Sequence, residues 1–157
     1  MNFKHAFVKT PYGEALLGLS GEKISTLLFL TFEKGEMLNM FHKKFPNSVE
    51  AESVDFQNVA NDIFENRKNF FKKIELYGTE FQKSVWLELM KLGKTVSYQQ
   101  IAKNIGTNGV RAVASAIANN PLHYIIPCHL VIRSDGSTGK FAGGSELKQK
   151  LILEFTS

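Results

Sequence analysis

The chemistry that this sequence could carry centres on one thiol. Cys128 is the only cysteine in 157 residues, and it stands between Pro127 and His129. A thiol becomes a strong nucleophile when a base removes its proton, because the thiolate is the reactive form. His129 is the nearest candidate base, and His123 is a second candidate upstream. The simpler interpretation is structural, since a lone intracellular cysteine is most often a small buried hydrophobe.

The backbone decides whether Cys128 and His129 can act together. On a strand, neighbouring side chains point to opposite faces, so the pair can meet only where the chain turns. Pro127 favours such an irregular segment. A metal site made by Cys128, His129 and His123 is a poor alternative, because three ligands this close together lack the usual spacing of zinc sites. These residues alone therefore leave a buried structural cysteine and a nucleophile both open, and they disfavour a metal site.

Composition limits the class of protein around this thiol. Hydrophobic residues make up 43% and charged residues 22%, which excludes a wholly disordered chain. No apolar run reaches the roughly 20 residues of a membrane span, and the N-terminus lacks the layout of a secretory signal. A single cysteine also favours a reducing compartment. We expect a protein of the cytoplasm with no membrane partner.

The net charge of +4 lies entirely in the second half of the chain, after Gly78. A basic region can be the electrostatic footprint of a polyanion, although many basic proteins bind no nucleic acid. The charge therefore permits nucleic-acid binding and does not establish it.

The elements that must position the thiol begin with strands. The first thirty residues predict three strands of a meander, separated by turn-rich segments. Apolar residues at helical spacing then predict two helices, the first of which is ended by a proline. In order, these five elements are Phe3–Lys9, Ala15–Leu19, Ile24–Phe32, Glu36–Phe45 and Asp55–Glu75.

The second half predicts a helix-turn-helix. A boundary falls at Tyr77–Thr79, whose last residue could cap the next helix. Two short helices, 98–105 and 110–118, then flank a turn that contains glycine. The second of them has many alanines and a single charge, Arg111, which suits close approach to a minor groove better than base reading in the major groove. Beyond it, the apolar run Tyr124–Ile126 predicts a buried strand.

Ordered motifs of this second half resemble the O6-alkylguanine-DNA alkyltransferases. The stretch from Asn120 to Ile132 closely resembles their active-site stretch, which reads Pro-Cys-His-Arg-Val followed by Val or Ile. The further matches are Phe81-Gln82-Lys83-Ser84-Val85-Trp86, Ser97-Tyr98-Gln99-Gln100-Ile101-Ala102, Arg111-Ala112-Val113 and Gly143-Gly144. The first half is similar to the family only in length and in its order of strands before helices.

The resemblance implies an α+β fold in two parts. Residues 1–76 would form a small N-terminal subdomain of sheet and helix. Residues 77–157 would form a mainly helical, winged-helix-like domain that binds DNA and carries the catalytic residues. Some relatives hold a structural zinc through cysteines of the first part, and this chain has none there, so no such site is expected.

The resemblance also implies direct reversal of DNA damage. Members of the family flip O6-alkylguanine out of duplex DNA, since chemistry on a base needs the base out of the stack. They transfer the alkyl group irreversibly to their cysteine, once per molecule and without a cofactor. The expected partner is double-stranded DNA that carries alkylated guanine, with O4-alkylthymine as a second substrate. The protein would act as a monomer.

Each role comes to this chain at the position that matches the family's motif. Cys128 would be the nucleophile, and His129 would take its proton through a water. Tyr98 would rotate the nucleotide and protonate the departing guanine, which leaves more readily when neutral. Asn120 would brace the turn before the active-site segment. The positions that would contact DNA or the flipped base are Arg111, which would fill the gap in the duplex, Ala112, Ser115, and the backbones of Cys128, Val131 and Ala142.

The sequence departs from the family's pattern at four places. They are Leu130 for the Arg after Cys-His, Leu92-Gly93 for a longer Ile-Pro-x-Gly, Phe141-Ala142 for Tyr-Ser, and Phe155 for a C-terminal Glu. That Glu orients the histidine in the family, and a shifted helix end could bring Glu154 into its place. Without the carboxylate, the pKa of the Cys128 thiol would stay near its ordinary value of about 8.5.

Two classes of protein besides the repair enzyme stay open, one because of these departures and one because of the fold alone. Alkyltransferase-like proteins bind damaged DNA without the cysteine, and this chain could bind damage with weak or no transfer. Cys128 argues against that class. A helix-turn-helix transcription regulator is the third class, and a plain regulator does not need the segment Pro127-Cys128-His129 or a helix of such small residues.

Overall fold

The computed structural model describes residues 2–133, 135 and 145–156, apart from the side chains of Ser53 and Ser145. The chain divides into two compact units, one ending at Leu76 and the other beginning at Tyr77. The first unit is built on a sheet with helices and the second is mainly helical, so the predicted α+β class is confirmed. No helix within these ranges is long and apolar enough to cross a membrane.

The first unit has a four-stranded sheet. β1 (Phe3–Thr10), β2 (Gly13–Ser20) and β3 (Lys23–Phe29) form the antiparallel meander that the sequence predicts. A short β4 (Val49–Glu50) pairs with β1 in parallel and gives the order β3-β2-β1-β4. The sequence does not predict β4, because two exposed residues carry no alternation of apolar and polar side chains.

Two helices complete the first unit. α1 spans Lys34–Lys44 and α2 spans Ser53–Glu65. α1 ends at the residue before Phe45, which itself precedes Pro46. The predicted helix ends one residue later, at Phe45, which leaves helical geometry because a proline disfavours that geometry in the residue before it.

The predicted helix Asp55–Glu75 is too long. The chain leaves α2 at Asn66, and a short 3-10 helix follows. Ile24 of β3 then donates to the Lys73 carbonyl (2.8 Å) and accepts from the Glu75 amide (2.9 Å). The backbone groups of this segment thus form hydrogen bonds in a strand bridge, where the apolar spacing predicts a continued helix.

The second unit combines helices with a pair of short parallel strands. Its elements are α3 (Glu80–Leu89), β5 (Val96–Ser97), α4 (Tyr98–Asn104), α5 (Val110–Ala118), β6 (Val131–Ile132) and α6 (Ser145–Thr156). Thr79 begins α3 with a capping box, in which its hydroxyl accepts from the Gln82 amide and the Gln82 side chain accepts from the Thr79 amide, both at 3.0 Å. The predicted cap is confirmed.

Trp86 fixes α3 against α5. Its ring is almost fully buried, and its Nε1 donates to the Ala116 carbonyl at 2.8 Å. Gly78 lies against the same ring, since a Cβ added there would stand 2.6 Å from a ring carbon of Trp86. The absence of a side chain at Gly78 is therefore needed for the packing that holds α5 in place.

We expect Gly78→Ala to lower the free energy of unfolding by about 1–3 kcal/mol, the usual cost of overpacking. Denaturant unfolding of the variant and the wild type measures the difference. Gly93→Ala is the matched control, because nothing lies within 4 Å of a Cβ at that position. If both variants unfold at the same midpoint, the Trp86 ring moves aside at no cost and the packing argument is wrong.

Candidate functional site

α4 and α5 form the helix-turn-helix that the sequence predicts. Gly106 makes the turn with a φ of 77°, and the Thr107 amide donates to the Ala102 carbonyl at 3.0 Å. One side of α5 is buried and the opposite side is exposed. The exposed side carries the three positions that the resemblance assigns to DNA: Arg111, Ala112 and Ser115.

Asn120 connects the end of α5 to the cysteine segment. It is buried, its Nδ2 donates to the Ile126 carbonyl (2.9 Å), and its Oδ1 accepts from the Leu122 amide (2.9 Å). One side chain thus satisfies two backbone groups of a buried loop, which would otherwise cost free energy. These two hydrogen bonds are the contacts that the bracing role expected for Asn120 requires.

The strand predicted at Tyr124–Ile126 is wrong. The Ile126 amide donates to the Leu122 carbonyl (2.9 Å), the Ile125 amide donates to the His123 carbonyl (2.9 Å), and Tyr124 has a φ of 74°. The run is apolar because Ile125 and Ile126 are fully buried, not because they pair in a sheet. Buried turns and buried strands share this composition, so the sequence could not separate them.

Cys128 begins a 3-10 helix, Cys128–Leu130. Its amide donates to the Ile126 carbonyl (2.8 Å), and the Leu130 amide donates to the Pro127 carbonyl (3.0 Å). The chain therefore turns at the cysteine, as Cys128 and His129 require if they are to act together. Cys128 is 5% exposed and His129 is fully buried.

The environment of Cys128 favours the neutral thiol. Burial raises its pKa to about 11, and hydrogen bonding from the Asn120 side chain, the charge of Lys148 and nearby backbone amides only partly oppose that rise. The value near 8.5 expected from the sequence is therefore too low. A nucleophile in this setting needs a base to take its proton.

The side chain that faces His129 from the last helix is Phe155. The two rings meet edge to face, with centroids 4.3 Å apart and planes at 77°, and the Phe155 ring also contacts Tyr124. Glu154 is exposed. α6 therefore keeps its register, and the alternative in which a shifted helix end brings Glu154 to the histidine is wrong.

Lys148 is a buried charge that the sequence did not single out. It is fully buried on α6, and its Nζ donates to the Val131 carbonyl at 2.6 Å. Burial lowers the pKa of Lys148 to about 8, while Cys128 acts in the opposite direction. The Val131 amide in turn donates to the Cys128 carbonyl. The only hint of this burial in the sequence is that Lys148 stands at helical spacing from Leu151. A lysine in such a position is more simply interpreted as a solvated charge.

Tyr98 is the first residue of α4 and is half-buried. Burial raises the pKa of its phenol, Cys128 raises it further, and Arg133 opposes the rise. The thiol is thus close enough to the phenol to affect its ionisation. The fold brings Tyr98, Cys128, His129 and Asn120 into one site within the second unit, although Tyr98 lies far from the others in the sequence.

The remaining predicted positions are His123 and those outside the described ranges. His123, the second candidate base, is buried, and burial lowers its pKa to about 4, so it is neutral at physiological pH. Ala142, Phe141 and the Gly143-Gly144 pair are not among the described residues. Within the described residues, no three His, Cys, Asp or Glu side chains gather in a way that could hold a metal ion.

A helix-turn-helix with a small-residue exposed face, joined through Asn120 to a buried cysteine, defines a class of protein. The arrangement is typical of a nucleic-acid-binding domain with a cysteine as its candidate nucleophile. Comparison with known proteins agrees, since residues 80–154 match the family described as 6-O-methylguanine DNA methyltransferase, DNA binding domain.

Relatives of known name extend this match over most of the chain. A methylated-DNA–protein-cysteine methyltransferase of Kluyveromyces lactis is 37% identical over 147 residues, which cover 88% of this chain and 77% of that protein. One of Methanosarcina mazei is 34% identical over 152 residues, 92% of each chain. The crystal structure of Mycobacterium tuberculosis OGT in complex with DNA superposes with a TM-score of 0.77 at 27% identity, covering 97% of this chain and 92% of that chain. The chain belongs to the methylated-DNA–protein-cysteine methyltransferase family, as its motifs predict.

Proposed function

We propose that this protein repairs DNA by transferring the alkyl group of O6-alkylguanine, and of O4-alkylthymine, irreversibly to Cys128. The observation that carries the proposal is the proximity of the Cys128 thiol to the Tyr98 phenol, whose pKa the thiol raises. A nucleophile and a proton donor side by side are what alkyl transfer from a base requires. The names of the relatives support the same activity.

The residues of this site account for each proton that moves and each bond that forms or breaks in the reaction. His129 takes the thiol proton of Cys128 through a water, and the sulfur attacks the alkyl carbon. The bond from that carbon to O6 breaks, and its electron pair stays on the guanine. Tyr98 donates a proton to the guanine ring, and the proton held by His129 later restores the phenol through solvent. The product is a thioether that water does not cleave, so each molecule acts once.

DNA is the partner, and the exposed side of α5 is its binding surface in this proposal. Arg111 fills the gap left by the flipped base, which offsets part of an unstacking cost of a few kcal/mol. Ala112 and Ser115 allow the helix to approach the minor groove closely. We propose alkylated duplex DNA as the substrate, a monomer as the active form, and a reducing compartment as the setting.

Intact mass spectrometry tests the proposal. Incubation with duplex DNA that carries O6-methylguanine should add one methyl group per chain, and peptide mapping should place it on Cys128. Unmodified duplex is the control and should add none. A Cys128 peptide that stays unmodified after prolonged incubation with excess substrate would overturn the transfer reaction and favour a module that only binds damage.

A further inference from the structure

We propose that Arg133 is a DNA-binding residue whose guanidinium holds a backbone phosphate of the nucleotide that Tyr98 rotates. The ligand class is a phosphodiester of duplex DNA. This inference rests on the proposed function, because it assigns one more contact of the same complex. Neither the motifs of the sequence nor the comparisons with known proteins assign a role to this arginine.

Strand register places Arg133 beside Tyr98. In the parallel pair of β5 and β6, Val96 is opposite Val131 and Ser97 is opposite Ile132. The residues directly after the two strands are Tyr98, which begins α4, and Arg133. Since paired strands run about 4.8 Å apart, the backbones of these two residues are neighbours where the strands end.

The charge of Arg133 reaches the reactive groups from this position. Arg133 opposes the rise in the pKa of Tyr98 that burial and Cys128 cause. It also adds to the lowering of the Lys148 pKa that burial causes. An arginine that influences both groups lies close to the phenol and to the cysteine segment at once.

Arg133 is also available to a ligand. Its side chain is exposed, and among the described residues no carboxylate lies within ion-pairing distance of it. It is the only lysine or arginine between Arg111 and Lys140 in the sequence. Leu130, which stands where the family's pattern has an arginine, is fully buried and supplies no charge. The cation of this segment is therefore Arg133.

Phosphate is the ligand that this arrangement fits. A guanidinium is charged at all relevant pH values and presents paired N–H groups that match two oxygens of one phosphate. Its neighbour Tyr98 is the side chain expected to rotate the nucleotide that carries the flipped base. The base itself goes to the buried Cys128, so the exposed cation next to the phenol meets the backbone.

Salt-dependent binding measures the contact. In Cys128→Ala protein, which cannot be alkylated, Arg133→Gln should weaken binding to an O6-methylguanine duplex about tenfold in low salt. Loss of one phosphate contact should also reduce the slope of log affinity against log salt by about 0.9. Arg133→Lys should keep most of the slope. Lys150→Gln, which removes an exposed charge on α6, is the matched control and should change neither quantity.

Duplexes in which one phosphate is uncharged then identify the phosphate that Arg133 contacts. Two duplexes carry a single uncharged methylphosphonate, one on the 5′ side of the lesion and one on the 3′ side. On one of them the Arg133→Gln effect should fall below about twofold, because its partner charge is already gone. An equal effect of Arg133→Gln on both neutralised duplexes and on the parent, or an unchanged salt slope, overturns the inference. Failure of wild-type protein to accept a methyl group would instead overturn the proposed function.

Discussion

Cys128→Ala should abolish alkyl transfer while leaving the affinity for DNA within a few-fold of wild type. The sulfur is the acceptor of the alkyl group, and the sequence offers no second cysteine. The side chain is 5% exposed, so it contributes little contact to the DNA backbone. Cys128→Ser should behave alike, since an unactivated hydroxyl is a far weaker nucleophile than a thiolate. Mass spectrometry after incubation with O6-methylguanine duplex measures transfer, and fluorescence anisotropy measures affinity.

Arg111→Ala is the complementary variant, because it changes the exposed side of α5 and leaves the cysteine segment intact. It should weaken DNA binding and base flipping, while the Cys128 thiol reacts with a small alkylating reagent at the wild-type rate. The two variants thus separate chemistry from binding. An equal loss of DNA affinity in both would contradict this division of roles.

The parts of the fold that local sequence signals specify agree with the structure. Thr79 and Gln82 form a capping box, and Gly106 provides the positive φ of the turn between α4 and α5. Both features depend on a few consecutive residues. The strand predicted at Tyr124–Ile126 fails because apolar composition reports burial and not the hydrogen-bond partners of the backbone. Those partners include the side chain of Asn120, which no local pattern reveals.

The residues of the site likewise divide into those that the sequence identifies and those that only the folded structure reveals. The sequence identifies Cys128 as the candidate nucleophile, and Tyr98 enters only through the family resemblance. Lys148 and Arg133 escape notice, because their positions depend on contacts between distant segments. Lys148 reaches the cysteine segment when α6 folds against Val131, and Arg133 reaches Tyr98 when β6 pairs with β5. Neither pairing can be inferred from the spacing of residues along the chain.

The other large effect is expected at Phe155. Its ring occupies the side of His129 where the family's pattern has a glutamate, so no carboxylate from this position orients the imidazole or stabilises its positive form. The buried thiol then ionises unaided by that charge, and its pKa of about 11 leaves about one molecule in ten thousand as thiolate at pH 7. Transfer should be slow at neutral pH and should rise with pH, because the thiolate is the nucleophile. Loss of the Lys148 charge above its pKa of about 8 should make that rise less steep.

Phe155→Glu should therefore speed transfer at pH 7 by about tenfold and flatten the pH–rate profile. A carboxylate beside His129 favours the imidazolium, which in turn favours the thiolate of Cys128. If the thiol pKa falls by about two units, the thiolate fraction rises about a hundredfold. Nucleophilicity falls by a factor of about three per unit of pKa, so about tenfold remains. Single-turnover rates of methyl transfer between pH 6 and pH 10 measure the change.

Two further variants make this result specific to the charge. Phe155→Gln removes the same ring and adds no carboxylate, so it should not speed transfer. Glu154→Gln should change little, because Glu154 is exposed and Phe155 faces the histidine. Thermal unfolding of each variant checks that the second unit remains folded. If Phe155→Glu folds and leaves the pH–rate profile of wild type, His129 needs no carboxylate partner here, and the hydrogen bond from Asn120 and the charge of Lys148 are the groups that control the ionisation of Cys128.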